Sequence, residues 1–254
     1  MLTLMKQEYY KAFKQNRLYI WLVLSFLFPL AVMGIFKTQR TGEVVANFGQ
    51  ATVYIVFAGI IITALSVSQE FGFGTIRPLL SRRFSRGQIF ASKLLLNLSV
   101  YLALFVTAFL GTMLAKVIFV LKVNLQAKLN DMGTGWQVMG QTFVITMLQI
   151  IFIAALVLLI TNLVKSSGAA IGLGVVMIVG TPILTSLSAL LIEMAPIMKW
   201  NPFNIYLGIA MLELPKTAFK ALVHLPQTTV LWVYLIDIVL MYGVAYWIFK
   251  KRSV

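Results

Sequence analysis

Apolar runs long enough to cross a bilayer recur along this chain: Leu18–Phe36, Ala51–Val67, Leu94–Ala115, Phe143–Leu163, Ala169–Leu191 and Thr229–Phe249. A crossing takes about 20 mostly apolar residues. Hydrocarbon offers no water to bond a bare peptide group, so runs of this length form helices rather than barrel strands. The expected fold is an all-α integral membrane protein with six transmembrane helices. Composition agrees: of 254 residues, 60% are hydrophobic and 11% charged. Soluble domains average about 45–50% and about 25%. The polar stretches are too short for a separate soluble enzyme domain, so residues 1–254 read as one transmembrane domain. The mostly polar residues 1–17 precede the first run and no small-residue cleavage site follows it, which does not fit a cleaved signal.

Basic residues set the expected orientation. Lys6, Lys11, Lys14 and Arg17 fall on one side, with Arg77, Arg82, Arg83, Arg86, Lys93, Lys165, Lys250, Lys251 and Arg252. Lys37, Arg40, Lys116, Lys122, Lys128, Lys199, Lys216 and Lys220 fall on the other. The first side is richer and its segments are shorter, so the positive-inside rule places it, with both termini, in the cytoplasm of a cell-membrane protein. The formal charge of +14 then reflects topology and anionic headgroups rather than nucleic acid. Cysteine is absent and His224 is the sole histidine. Disulfides, thiolate chemistry and a multi-histidine metal site are excluded.

The polar segments divide the domain. Residues 1–17, "MLTLMKQEYYKAFKQNR", read as an interfacial amphipathic helix, with Leu2, Met5, Tyr9, Ala12 and Phe13 on its apolar face. A plain basic leader is the alternative. Residues 18–67 carry spans one and two, 68–93 a cytoplasmic loop, and 94–191 spans three to five. Residues 192–228 form an extracellular segment broken by prolines, where "FNIYLGIAMLEL" suggests short or re-entrant helices. Residues 229–254 supply span six and a cytoplasmic tail. Lys116–Gln141 reads as a polar connection, partly helical.

The 68–93 loop contains "EFGFGTIRPLLSRRFSRGQIFASK". Gly72 and Gly74 permit a sharp exit from span two. Thr75 suits an N-cap ahead of Ile76, and Pro78 is tolerated in a first turn. Ser85 and Gln88 form a capping box, with Phe84 and Ile89 as a hydrophobic staple. The loop is thus expected to be helix–break–helix, apolar on one side and cationic on the other. Either lipid or a protein groove can cover the apolar side.

Glu70, Gly74-Thr75, Leu79-Leu80, Ser85-Arg86, Ile89 and Lys93 together resemble the cytoplasmic loop of ABC transporter permeases of the type-2 export family. "LMKQEYYKAF" near the N-terminus and "NPFN" at Asn201–Asn204 are similar to elements of the same permeases. Phe84 departs from the pattern, standing where many relatives have proline. The resemblance implies a coupling helix built from Glu70, Gly74, Thr75, Ile76, Arg77, Leu79, Leu80, Arg82, Arg83, Phe84, Ser85 and Arg86. It would dock on a separate cytoplasmic ATPase subunit, present in two copies, which binds the ATP and Mg. A second permease half, identical or paralogous, is also implied, as is an amphipathic or antimicrobial peptide, or a similar hydrophobic compound, as cargo. The chain itself holds no G-x-x-x-x-G-K-[ST], so it binds no nucleotide by that motif. The expectation is a non-catalytic subunit.

Inside the spans, Asp237 is a charge at a helix centre, which costs roughly 2.5–3.5 kcal/mol on insertion scales. It reads either as a pathway residue or as a structural one bonded to Gln149 or Asn97. Gly168 with Gly172, and Ala170 with Gly174, form small-x-x-x-small faces suited to close helix packing. The competing function is a secondary transporter or channel that uses Asp237. An intramembrane enzyme is disfavoured, since no nucleophile–base or metal set lies in or beside a span.

Overall fold

The computed structural model of the chain describes residues 2–14, 17–72, 84–130, 133–164 and 167–251. Its elements in order are α1 (Leu2–Lys14), α2 (Arg17–Ile35), α3 (Gly42–Ala46), α4 (Ala51–Gly72), α5 (Arg86–Phe119), β1 (Lys128–Asn130), β2 (Gly133–Thr134), α6 (Gly135–Leu163), α7 (Ser167–Met194), α8 (Pro202–Ala210), α9 (Lys216–Val223) and α10 (Gln227–Lys251). Among the described residues, five helices are long and apolar enough to cross a membrane: α2, α4, α5, α6 and α10. The fifth apolar run lies on α7, a helix of 28 residues. The chain is an all-α protein of multi-pass membrane type.

The connection expected over Lys116–Gln141 is shorter than its composition suggested. Helix α5 continues to Phe119 and α6 starts at Gly135, leaving room for a small antiparallel β1–β2 hairpin. Polar residues do not by themselves stop a helix once its end reaches water, and within the hairpin Gly133 takes φ +122°, a conformation that glycine permits. At 34 residues, α5 is about 51 Å long at the usual rise per residue. That exceeds a hydrocarbon core of about 30 Å, so α5 carries well-ordered turns beyond any crossing.

The chain divides into two compact units, Met1–Gly59 with Gly87–Thr146, and Ile60–Arg86 with Met147–Val254. In the first, Met33, Val44, Val45, Ala115, Val120 and Leu125 form a core. The end of α2 is closed by Arg40, whose guanidinium donates to the carbonyls of Met33 (2.8 Å) and Gly34 (3.2 Å) and lies over the Phe119 ring. A cation there satisfies orphan carbonyls and suits the negative end of the helix dipole. Thr41 caps α3 by accepting from the Val44 N–H.

Between α3 and α4 the backbone turns left-handed at three successive residues: Phe48 (φ 52°), Gly49 (57°) and Gln50 (65°). Non-glycine residues pay roughly 1–2 kcal/mol each for that region. The surroundings hold it in place. Phe48 is buried edge-on against Phe105, whose other neighbour is Phe143. Asn47 Oδ1 accepts from Thr142 Oγ1 at 2.9 Å. Gly49 sits so close to Pro29 that a Cβ would overlap it.

In the second unit, α8 and α9 form a cap whose core is Ile205, Ile209, Phe219, Val223 and Leu225, packed with Phe152, Val230 and Tyr234. The residues 192–228 therefore hold two short helices, as expected, preceded by a 3-10 turn over Pro196–Trp200. Helix α9 ends at His224, which takes the left-handed C-cap conformation.

Helices α2 and α5 meet at Gly111, where a Cβ would strike the Phe26 backbone carbonyl. Backbone cannot rotate away as a side chain can. Gly111→Ala is expected to force the two helices apart and cost about 1–3 kcal/mol, the usual range for overpacking. A thermal melt of the purified variant in detergent checks this; an unchanged midpoint refutes it.

Candidate functional site

The site begins with α1. An apolar face for the headgroup plane was expected at Leu2, Met5, Tyr9, Ala12 and Phe13; the side turned to the protein is a different one, centred on Leu4 and Glu8, and Phe13 is 41% exposed. The reason is a charge pair. Glu8 Oε2 lies 3.1 Å from Lys93 Nζ, and the two side chains are 5% and 2% exposed. Lys11 reaches the other carboxylate oxygen at 3.4 Å. Nearly two turns from Lys93, Ser99 Oγ accepts from the Tyr9 hydroxyl at 2.6 Å. Helix α1 is thus docked on α5 by a buried carboxylate and a phenol, and its rotation follows from them.

Helix α5 starts at Arg86, directly after Ser85, which places Ser85 at the N-cap position. Within the second unit, Arg86 Nη1 donates to the carbonyls of Lys250 (2.7 Å) and Phe249 (3.3 Å) at the end of α10. Those are orphan acceptors of a helix C-terminus, and a guanidinium fits them in geometry and charge. Arg86 is committed to that helix end. Phe84 is half-buried and Ser85 exposed. Gly74, Thr75, Ile76, Arg77, Leu79, Leu80, Arg82 and Arg83, and the side chain of Glu70, lie outside the described residues.

The "NPFN" element has a clear physical account. Asn201 Oδ1 accepts from the Asn204 N–H and caps α8, with Pro202 in the first turn. Asn201 Nδ2 donates to Ser188 Oγ at 2.7 Å and to the Met198 carbonyl at 2.6 Å. Asn204, 1% exposed, donates to the carbonyls of Lys199 (2.7 Å) and Val223 (2.9 Å). The element joins three segments of the second unit through amides that leave neither donor idle. Gln227 does the same for the Leu212 and Leu214 carbonyls.

The intramembrane polar residues separate. Gln149 hydrogen-bonds Tyr206, whose hydroxyl burial pushes up to about 12. Asp237 has a buried Oδ2 with no hydrogen-bond partner among the described residues. Asn97 is buried on α5. Of the packing glycines, Gly174 is buried so tightly on Ile60 and Val157 that a Cβ would overlap Ile60. Gly168 is exposed, and a Cβ on Gly172 would meet nothing. Among the described residues, close packing within the second unit therefore uses Gly174 and not Gly172.

These features define a polytopic helical membrane protein whose N-terminal helix is fixed by a buried ion pair. More particularly, the chain belongs to the family described as "Protein of unknown function (DUF2705)", whose model matches residues 2–254. No curated protein matches the sequence.

Sequence reasoning missed the Glu8–Lys93 pair and the Arg86 cap. A signal for the first was present: a lone acid in a basic helix, and a lysine opening an apolar run. Breaking a buried pair from one side typically costs 3–5 kcal/mol, roughly, because a charge is stranded. Glu8→Gln and Lys93→Met are each expected to destabilise by about that amount, and the double variant to recover most of it. Additive losses in a double-mutant cycle of thermal unfolding contradict the coupling.

Burial raises the Glu213 carboxyl above its ordinary value of 4.5. The folded state therefore favours the protonated form. That contribution is fully present below pH 4.5 and is lost as pH rises through the folded value. Glu213→Gln is expected to flatten this slope in a pH series of melting temperatures; a parallel slope contradicts it.

Proposed function

We propose that this chain is the membrane-spanning permease subunit of an ATP-driven exporter of the ABC class. It crosses the membrane six times, with α7 as the fifth span, both termini in the cytoplasm, and the loop after α4 facing a separate ATPase. Two copies of that ATPase bind the ATP and Mg, and a second permease half completes the path. The cargo is an amphipathic or antimicrobial peptide or a similar hydrophobic compound.

The observation that carries this reading is the way the loop's downstream arm is held. Arg86 is bonded to the end of α10, and Lys93, about two turns further along α5, is ion-paired to α1. A displacement of the loop is passed to other helices through charge-assisted bonds rather than absorbed by slack chain. A loop that merely tethers two spans needs no such attachments. The Glu-Gly-Thr-Leu-Leu-Ser-Arg-Lys pattern supports the same reading. The leucines would fill a groove on the ATPase, and burial of each contributes about 1.5–3 kcal/mol.

Co-purification with stand-alone ATPase subunits tests it. Leu79→Asp with Leu80→Asp is expected to abolish pull-down and stimulation of ATP hydrolysis, since losing two buried leucines weakens binding by about a hundredfold or more. Unchanged capture and stimulation defeats the docking assignment.

One observation favours a second reading. The buried Oδ2 of Asp237, without a partner among the described residues, suits a secondary transporter or channel that engages a cation there. Ion flux through liposomes holding the chain alone, abolished by Asp237→Asn, would favour that reading; no flux removes it.

A further inference from the structure

The first unit carries a cleft of about 280 Å³ where α5 ends and α6 begins. Met113 and Lys116 of α5 line it, with Val123, Asn124 and Gln126 of the connection and Trp136 of α6. Cavities that enclose drug-sized ligands run about 300–1,000 Å³. This one is at or below that range and suits a headgroup-sized ligand better than a peptide.

The chemistry of the lining is one-sided. Lys116 brings an ammonium, Trp136 an indole N–H, and Asn124 and Gln126 carboxamides. Asn124 Oδ1 already accepts from the Gln126 backbone N–H at 2.9 Å, which leaves the Asn124 NH₂ as the group on offer. Among the described residues, no carboxylate lines the cleft and Lys116 has no ion-pair partner. Donors without an opposing acid select an anion with several acceptor oxygens, such as a phosphate.

The surroundings identify its source. Next to Lys116 on α5, Val117 is 58% exposed and Ile118 56%, and Leu121, just past the helix end, is 71% exposed. Trp136 is half-exposed and packs beside Phe109. In a helix of membrane-crossing type, such residues face acyl chains, and tryptophan marks the headgroup level. A soluble anion gains nothing from that apolar rim, whereas a lipid uses both parts.

We infer that the Lys116–Trp136 cleft binds the headgroup of an anionic phospholipid, with its acyl chains along Val117, Ile118 and Leu121. This does not rest on the exporter reading and holds for any transport function of the chain.

Native mass spectrometry of the full chain tests it, in detergent supplied with phosphatidylglycerol or phosphatidylcholine. The wild type is expected to keep a tightly held phosphatidylglycerol and not a phosphatidylcholine. Lys116→Gln should weaken that retention by about tenfold or more, the value of a charge-assisted bond. Lys116→Arg should preserve it. So should Lys128→Gln, which removes the same charge from the same connection outside the cleft. Equal retention by Lys116→Gln and wild type overturns the site. So does an equal loss in Lys128→Gln, which would reveal only diffuse charge attraction. Displacement of the lipid by equimolar glycerol phosphate, which lacks acyl chains, overturns the lipid assignment in favour of a soluble anion.

Discussion

Glu8 and Lys93 are 85 residues apart in sequence and 3.1 Å apart in space, with almost no exposed surface. Each charge is tolerable only because the other is there. That constraint, a polar group cut off from water and obliged to find its partner within the chain, recurs at several other buried polar side chains. Ser25 donates to the Leu104 carbonyl, Tyr54 to that of Trp21, Tyr234 to that of Leu148 and Asn162 to that of Ala245. Van der Waals packing holds apolar helices together, but it is insensitive to small rotations. A bond between a named donor and a named carbonyl fixes one angle and one height.

Close approach is the second means of fixing the fold. Gly111 lets α5 touch the backbone of α2, Gly174 lets α7 touch Ile60 and Val157, and Gly49 lets the left-handed turn sit on Pro29. In lipid the apolar surface of a helix gains little by leaving hydrocarbon for another helix, so contact quality decides. The strained turn at Phe48–Gln50 belongs to this logic. Its backbone cost is offset by the edge-on contact of Phe48 with Phe105 and the Asn47–Thr142 bond.

Much of this was legible in the sequence because it is local. Runs of twenty apolar residues announce helices, Ser85 marks the start of α5, and Asn201-Pro202 marks that of α8. The hairpin was not, since Lys116–Gln141 reads as polar and says nothing of pairing. The turn at Phe48–Gln50 offers only one glycine as a hint, and its two other left-handed residues are set by tertiary contacts. The side of α1 turned to the protein was hidden for the same reason. A periodicity argument sends a glutamate outward, and only a lysine from a distant helix reverses that. The Gly168–Gly172 face shows the converse, since among the described residues nothing lies where a Cβ on Gly172 would reach.

The contrast between Glu8 and Asp237 shows two ways in which a buried acid can be held. Both are acids in apolar surroundings. Glu8 is held by two lysines, and a carboxylate so matched is a fixed joint. Asp237 has an oxygen with no bond among the described residues, and an unmatched buried acceptor costs about 1–3 kcal/mol in the state that contains it. A state that supplies a donor recovers that cost, and the balance between the two is then sensitive to small inputs. On the proposed exporter reading, the joints at Lys93 and Arg86 would pass a displacement on, and a polar group left short of a donor in α10 would give the receiving helix a reason to move.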